Sequence, residues 1–63
     1  MYGPEHPEVA TDVNNLGSVL QDQGDLAGAR GCFERALGIF EKFLPEGHPN
    51  IAVVRGNLEK LGK

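Results

Sequence analysis

Two histidines, one cysteine and several carboxylates are the residues of this 63-residue chain with the chemistry for metal binding or nucleophilic catalysis. His6 lies near Glu5 and Glu8, and His48 near Glu46; such donors suit a zinc ion when a fold brings them together. Each histidine, however, directly precedes a proline, and the two stand 42 residues apart, which is the spacing of an internal repeat. Residues that begin helices account for this pattern better than a metal centre does, and no metal or cofactor is expected. Cys32 needs a partnering base to act as a nucleophile. It falls instead on an apolar line within a helical segment, where cysteine behaves as a small buried hydrophobe. The glycines occur singly within helical patterns rather than after a strand, so they build no phosphate-binding loop. No enzyme active site emerges.

The elements that would position any binding residues are helices. Val9, Val13, Leu16 and Leu20 recur at i, i+4, i+7 and i+11, one face of an amphipathic helix. Pro7 suits the first helical turn and Glu8 the positive end of the helix dipole. Gly24 reads as the C-terminal stop, and Asp25 as the N-cap of a second helix. That helix carries a main stripe of Leu26, Ala29, Phe33, Ala36, Leu37, Phe40 and Leu44, with a second line of Cys32, Ile39 and Phe43 beside it. Two adjacent apolar faces predict a helix sandwiched between neighbours. Pro45-Glu46-Gly47 breaks the pattern. A third helix follows from Pro49, with Ile51, Val54, Leu58 and Leu61 on one face. The expectation is an all-α fold of three helices, over residues 7–23, 26–43 and 49–61. They form a single unit spanning 1–63, an antiparallel helix-turn-helix plus one helix.

Sliding the sequence by 42 places His6-Pro7 on His48-Pro49, Val9 on Ile51, Ala10 on Ala52 and Asn15-Leu16 on Asn57-Leu58. The chain therefore reads as one complete repeat followed by the first helix of the next. Leu16-Gly17, Gly24, Ala29, Phe33 and Ala36 stand in the order and spacing of a tetratricopeptide repeat, which the chain resembles over nearly its whole length. The small residues have a physical purpose: Gly17, Ala29 and Ala36 let two helix backbones approach, and Phe33 fills the gap beside them. The 42-residue period, with His-Pro opening each unit and Asn14-Asn15-Leu16-Gly17 inside, is similar to the longer variant found in kinesin light chains and bacterial regulatory arrays.

The resemblance implies an α-solenoid element whose first helices line a concave surface that holds extended peptides. Asn15 and Asn57 match the asparagine that bonds a peptide backbone in such arrays. Asn14, Ser18, Gln21 and Asp22 accompany Asn15, and Lys60 accompanies Asn57. Several positions depart from the family pattern. Val13 stands where the family has a large aromatic, and Arg55 takes the same place in the third helix. Gly62 replaces Leu20, so the third helix reads as a cap or a truncation. Gly28, Gly31 and Gly38 lie off the main stripe, each costing about 1 kcal/mol relative to alanine. They mark either an unoptimised solvent face or a surface on which another helix packs.

Composition sets the remaining bounds. A chain of this size buries only about 60% of its unfolded surface, and with a single cysteine it has no internal disulfide to reinforce it. A lone cysteine fits a reducing compartment, and a cytoplasmic location is expected. Met1-Tyr2-Gly3-Pro4-Glu5 has neither a basic start nor an apolar run, so no secretory leader is expected. No apolar stretch approaches the roughly 20 residues of a membrane span. Residues 1–25 carry Glu5, Glu8, Asp12, Asp22 and Asp25 and no basic residue, whereas residues 26–63 hold all six Lys and Arg against four acids. There is no basic patch with interleaved aromatics, which argues against nucleic acid.

The partner expected is a protein or peptide. Repeat proteins generally need about three repeats to bury a continuous core. One and a half repeats are therefore expected to leave open apolar faces, closed by self-association as a homodimer or higher oligomer. The residues assigned to that contact are Cys32, Ile39, Phe43, Ile51, Val54, Leu58 and Leu61. Exchange of helices between copies is a further expectation, since Gly24 is the one strong break between the first two helices. The alternative is a piece of a larger multi-repeat signalling or regulatory protein with no activity of its own.

Overall fold

The computed structural model describes residues 6–62; the expectations placed on Met1–Glu5 and Lys63 lie outside them. The chain forms α1 (Pro7–Asp22), α2 (Leu26–Phe43) and α3 (Pro49–Leu61), and no strand occurs among the described residues. The bounds match the sequence reading except at the end of α1, where Gln23 is the cap and Gly24 turns the chain at φ +85°. Gly47 makes the second turn at φ +87°. A left-handed backbone at both places favours glycine, which has no Cβ to clash.

Each helix begins with a side-chain cap. The Asp25 carboxylate accepts from the Gly28 amide at 3.0 Å. His6 and His48 do the same through Nδ1, accepting from Glu8 and Asn50 amides at 3.1 Å each. These caps occupy backbone donors that a helix otherwise leaves unpaired. Both repeat histidines thus begin helices, each followed by proline in the first turn.

α2 is the central layer, packed on α1 along one side and on α3 along another. The core comprises Ala10, Ala29, Phe33, Ala36, Ile39, Phe40, Ile51 and Val54, with Val9, Val13, Leu20, Leu37, Leu44, Leu58 and Leu61 packed against it. At Gly17, α1 lies close against α2. A Cβ built there would lie 2.7 Å from Phe33 Cε1 and 3.1 Å from Cys32 Cβ, so the absence of a side chain sets the helix separation. Gly31 and Gly38 have nothing within 4 Å of a built Cβ and lie on the exposed side of α2.

Most of the residues assigned to self-association are packed within the chain itself. Val54 is fully buried, Ile51 is 2% exposed and Ile39 5% exposed, all within the chain's own core. Leu58 and Leu61 are partly buried against that core. The apolar stripe of α3 is thus spent on α2, because the helix folds back after Gly47 with that face inward. Its exposed positions are Pro49, Asn50, Ala52, Val53, Arg55, Glu59 and Lys60. Arg55, which stands where α1 has Val13, pairs with Glu41 of α2 at 2.8 Å. Cys32 is half-buried beside the Gly17 contact and presents no free face. Of the seven residues assigned, Phe43 alone remains exposed, at 50%.

Exposed large apolar side chains occur on all three helices, at Leu16 and Val19 of α1, Leu26 and Phe43 of α2 and Val53 of α3. Leu16 and Val19 are each 51% exposed. The 42-residue offset places Val9, Asp12, Leu16 and Val19 on Ile51, Val54, Leu58 and Leu61. The face of α1 that is open in this chain therefore has the register of the α3 face that packs on α2.

Candidate functional site

The polar residues of α1 and α3 form two stripes. On α1 they are Thr11, Asn14, Asn15, Ser18 and Asp22, recurring at helical spacing. Those of α3, at the same kind of spacing, are Asn50, Asn57 and Lys60, with Val53 among them. A hydrogen bond of 3.2 Å from Asn57 Nδ2 to Asn14 Oδ1 ties the two stripes together. This bond is part-buried, where an amide pair is worth more than on an open surface.

Next to this pair, toward the starts of both helices, Thr11 and Asn14 of α1 face Asn50 and Val53 of α3 across a shallow groove that also reaches Phe40 of α2. Phe40 is almost wholly buried, whereas Val53 is 54% exposed. Thr11 donates its hydroxyl to the Pro7 carbonyl at 3.3 Å, which engages its proton within its own helix. The groove thus has polar walls, an aromatic floor and an exposed branched aliphatic side chain at its edge. No charged residue lines it among the described residues.

The residues expected on the concave surface separate into two groups. Asn14 and Asn57 are brought together directly. Ser18 and Gln21 are half-buried along α1, while Asn15, Asp22 and Lys60 are exposed. Sequence reasoning missed Thr11, Asn50 and Val53 and gave Phe40 only a core role. The 42-residue offset puts Thr11 on Val53, and both stand one turn before the asparagines, so the signal was present in the repeat.

Among the described residues no three His, Cys, Asp or Glu side chains gather as a metal-binding group. His6 and His48 bind their own helix starts. No helix is long and apolar enough to cross a membrane among the described residues.

The tetratricopeptide repeat pattern matches residues 8–61. The chain belongs to the tetratricopeptide repeat family. A clustered mitochondria protein homolog of Aspergillus clavatus is 33% identical to it over 54 residues, which are 86% of this chain and 4% of that protein. The tetratricopeptide unit described here therefore spans a small fraction of that relative's length. No solved structure matches the chain. Tetratricopeptide units are interaction repeats.

Proposed function

We propose that the chain is a non-catalytic interaction module that holds an extended polypeptide across α1 and α3. The Asn14–Asn57 pair carries this reading. It joins the first helices of two successive repeats beside a groove of Thr11, Asn50 and Val53, and amides can pair with a peptide group as donor and acceptor. The 42-residue period and the Asn14-Asn15-Leu16-Gly17 segment favour the long variant resembling kinesin light chain repeats. A cytoplasmic setting is consistent with the lone Cys32.

A second reading concerns the open face of α1. Leu16 and Val19 are exposed in the register that α3 uses against α2, so a further helical unit completes the stack. A larger repeat protein would supply it from its own chain, as the small share of the relative that is matched suggests. Self-association would supply it from a second copy, with helix exchange about Gly24 as one route.

The test of the first reading is an array of random dodecapeptides probed with the labelled chain and with an Asn14→Ala/Asn57→Ala variant of equal helicity. Binding by the parent and at least tenfold weaker binding by the variant is expected. Equal binding by both would remove the asparagines from the site. Light scattering across a dilution series tests the second: a mass of two or more copies indicates self-association, and a helical monomer favours the longer-chain arrangement.

A further inference from the structure

We propose that the open face of α1 takes an amphipathic helix that sets an Arg or Lys against Asp12, and that this helix comes from outside the chain rather than from a second copy of it. The inference rests on the reading of α1 as a face that a further helix covers, and adds the chemistry which that helix must carry.

Val9, Asp12, Leu16 and Val19 stand at i, i+3, i+7 and i+10, one face of α1. The 42-residue offset sets them on Ile51, Val54, Leu58 and Leu61, which α3 packs against α2. Three of these four pairs are apolar on both helices. The fourth exchanges Val54, 0% exposed, for the exposed carboxylate of Asp12. A helix lying on α1 as α2 lies on α3 therefore covers Asp12 as α2 covers Val54. Stripping water from an ionised carboxylate is costly unless a cation meets it. Leu16 and Val19, each half exposed, supply apolar area for the contact, and a guanidinium can pair both carboxylate oxygens at once.

Charge along the rest of the face points the same way. Glu8, Asn15 and Asp22 run along one edge at intervals of seven, all of them exposed, and residues 1–25 hold no Lys or Arg. Asp22 also closes α1, where the helix dipole is itself negative. Two copies meeting through this face would bring both sets of carboxylates together with no Lys or Arg of α1 between them, and like charges so placed oppose association. A helix with basic residues in and beside an apolar stripe matches both the carboxylates and the exposed aliphatic side chains.

The test titrates blocked helical peptides of about 18 residues, long enough to hold a helix in water, into the 15N-labelled chain. Each carries a Leu and Ala stripe on an otherwise Gln-rich helix, with Arg, Leu or Glu at the centre of the stripe. The Arg peptide is expected to shift the amides of Asp12, Leu16 and Val19 at about tenfold lower concentration than the Leu peptide, and the Glu peptide to bind least. Asp12→Asn should remove the advantage of Arg. Asp12→Val, which gives α1 the residue of α3, should make the Leu peptide the tightest. Both variants alter an exposed side chain, and circular dichroism checks that they stay helical. Equal binding of the Arg and Leu peptides, or an Arg advantage that survives Asp12→Asn, would overturn the assignment and leave α1 a helix-docking face. A dimer of the chain alone by light scattering, with the same amides shifting on dilution, would give the face to a second copy and overturn it as well. If no peptide shifts these amides and the chain stays monomeric, the docking reading of α1 fails too.

Discussion

Asn57 donates to Asn14 across 3.2 Å, although the 42-residue offset aligns it with Asn15. Successive repeats therefore join through neighbours in the Asn14-Asn15 pair rather than through equivalents. Asn15 holds on α1 the position that Asn57 holds on α3, toward the side where a preceding helix would lie. A double-mutant cycle of Asn14→Ala and Asn57→Ala should give a coupling of about 1 kcal/mol in urea unfolding. Asn15→Ala should show none with Asn57. Additive losses from Asn14 and Asn57 would mean that the bond contributes nothing to holding α3 in place.

The glycines divide by what surrounds them. Gly17→Ala should cost about 1–3 kcal/mol, because its Cβ would meet Phe33 at 2.7 Å. Gly31→Ala and Gly38→Ala meet open space and should each stabilise by about 1 kcal/mol. For a domain of this size, each such kcal/mol moves Tm by about 4–8 °C. Thermal melts of the three variants decide the matter, and equal shifts for all would contradict the packing described.

Two polar interactions of similar length should differ in worth. Asp25 caps α2, and Asp25→Ala should cost about 1 kcal/mol. Arg55 and Glu41 are both about half exposed, so a double-mutant cycle across them should yield at most about 0.5 kcal/mol. A larger coupling for the ion pair than for the cap would reverse this ranking.

The apolar residues of α1 and α3 should separate in the same way. Leu16→Ser and Val19→Ser alter exposed positions and should leave the melting of a monomer within about 0.5 kcal/mol of the parent. Any self-associated mass should fall in these variants. Ile51→Ala removes a core side chain and should cost about 2–5 kcal/mol. Light scattering and circular dichroism on the same samples would distinguish loss of contact from loss of fold.

Much of the architecture was legible because it is local or repeated. Apolar spacing marks a helix whatever it packs against, and Gly24 and Gly47 mark turns through backbone sterics alone. Asp25 caps with an atom three residues from its donor. Leu16-Gly17, Gly24, Ala29, Phe33 and Ala36 carry the family pattern without reference to any contact. Gly17 and Phe33 were legible as a close approach because small and large residues recur at the spacing two packed helices require.

What only the tertiary structure decided is which face of each helix was left over. Leu16 and Val19 of α1 stand at the repeat positions of Leu58 and Leu61 of α3, and sequence periodicity does not say which of them is already covered. The fold spends Ile51, Val54, Leu58 and Leu61 on α2 and leaves Leu16 and Val19 in solvent, because α2 can offer that side to one neighbour only. The bond of Asn57 to Asn14, and the groove of Thr11, Asn50 and Val53 over Phe40, likewise depend on how α1 and α3 lie across α2. Such juxtapositions join residues some 40 positions apart, where the spacing of the chain carries no information about direction.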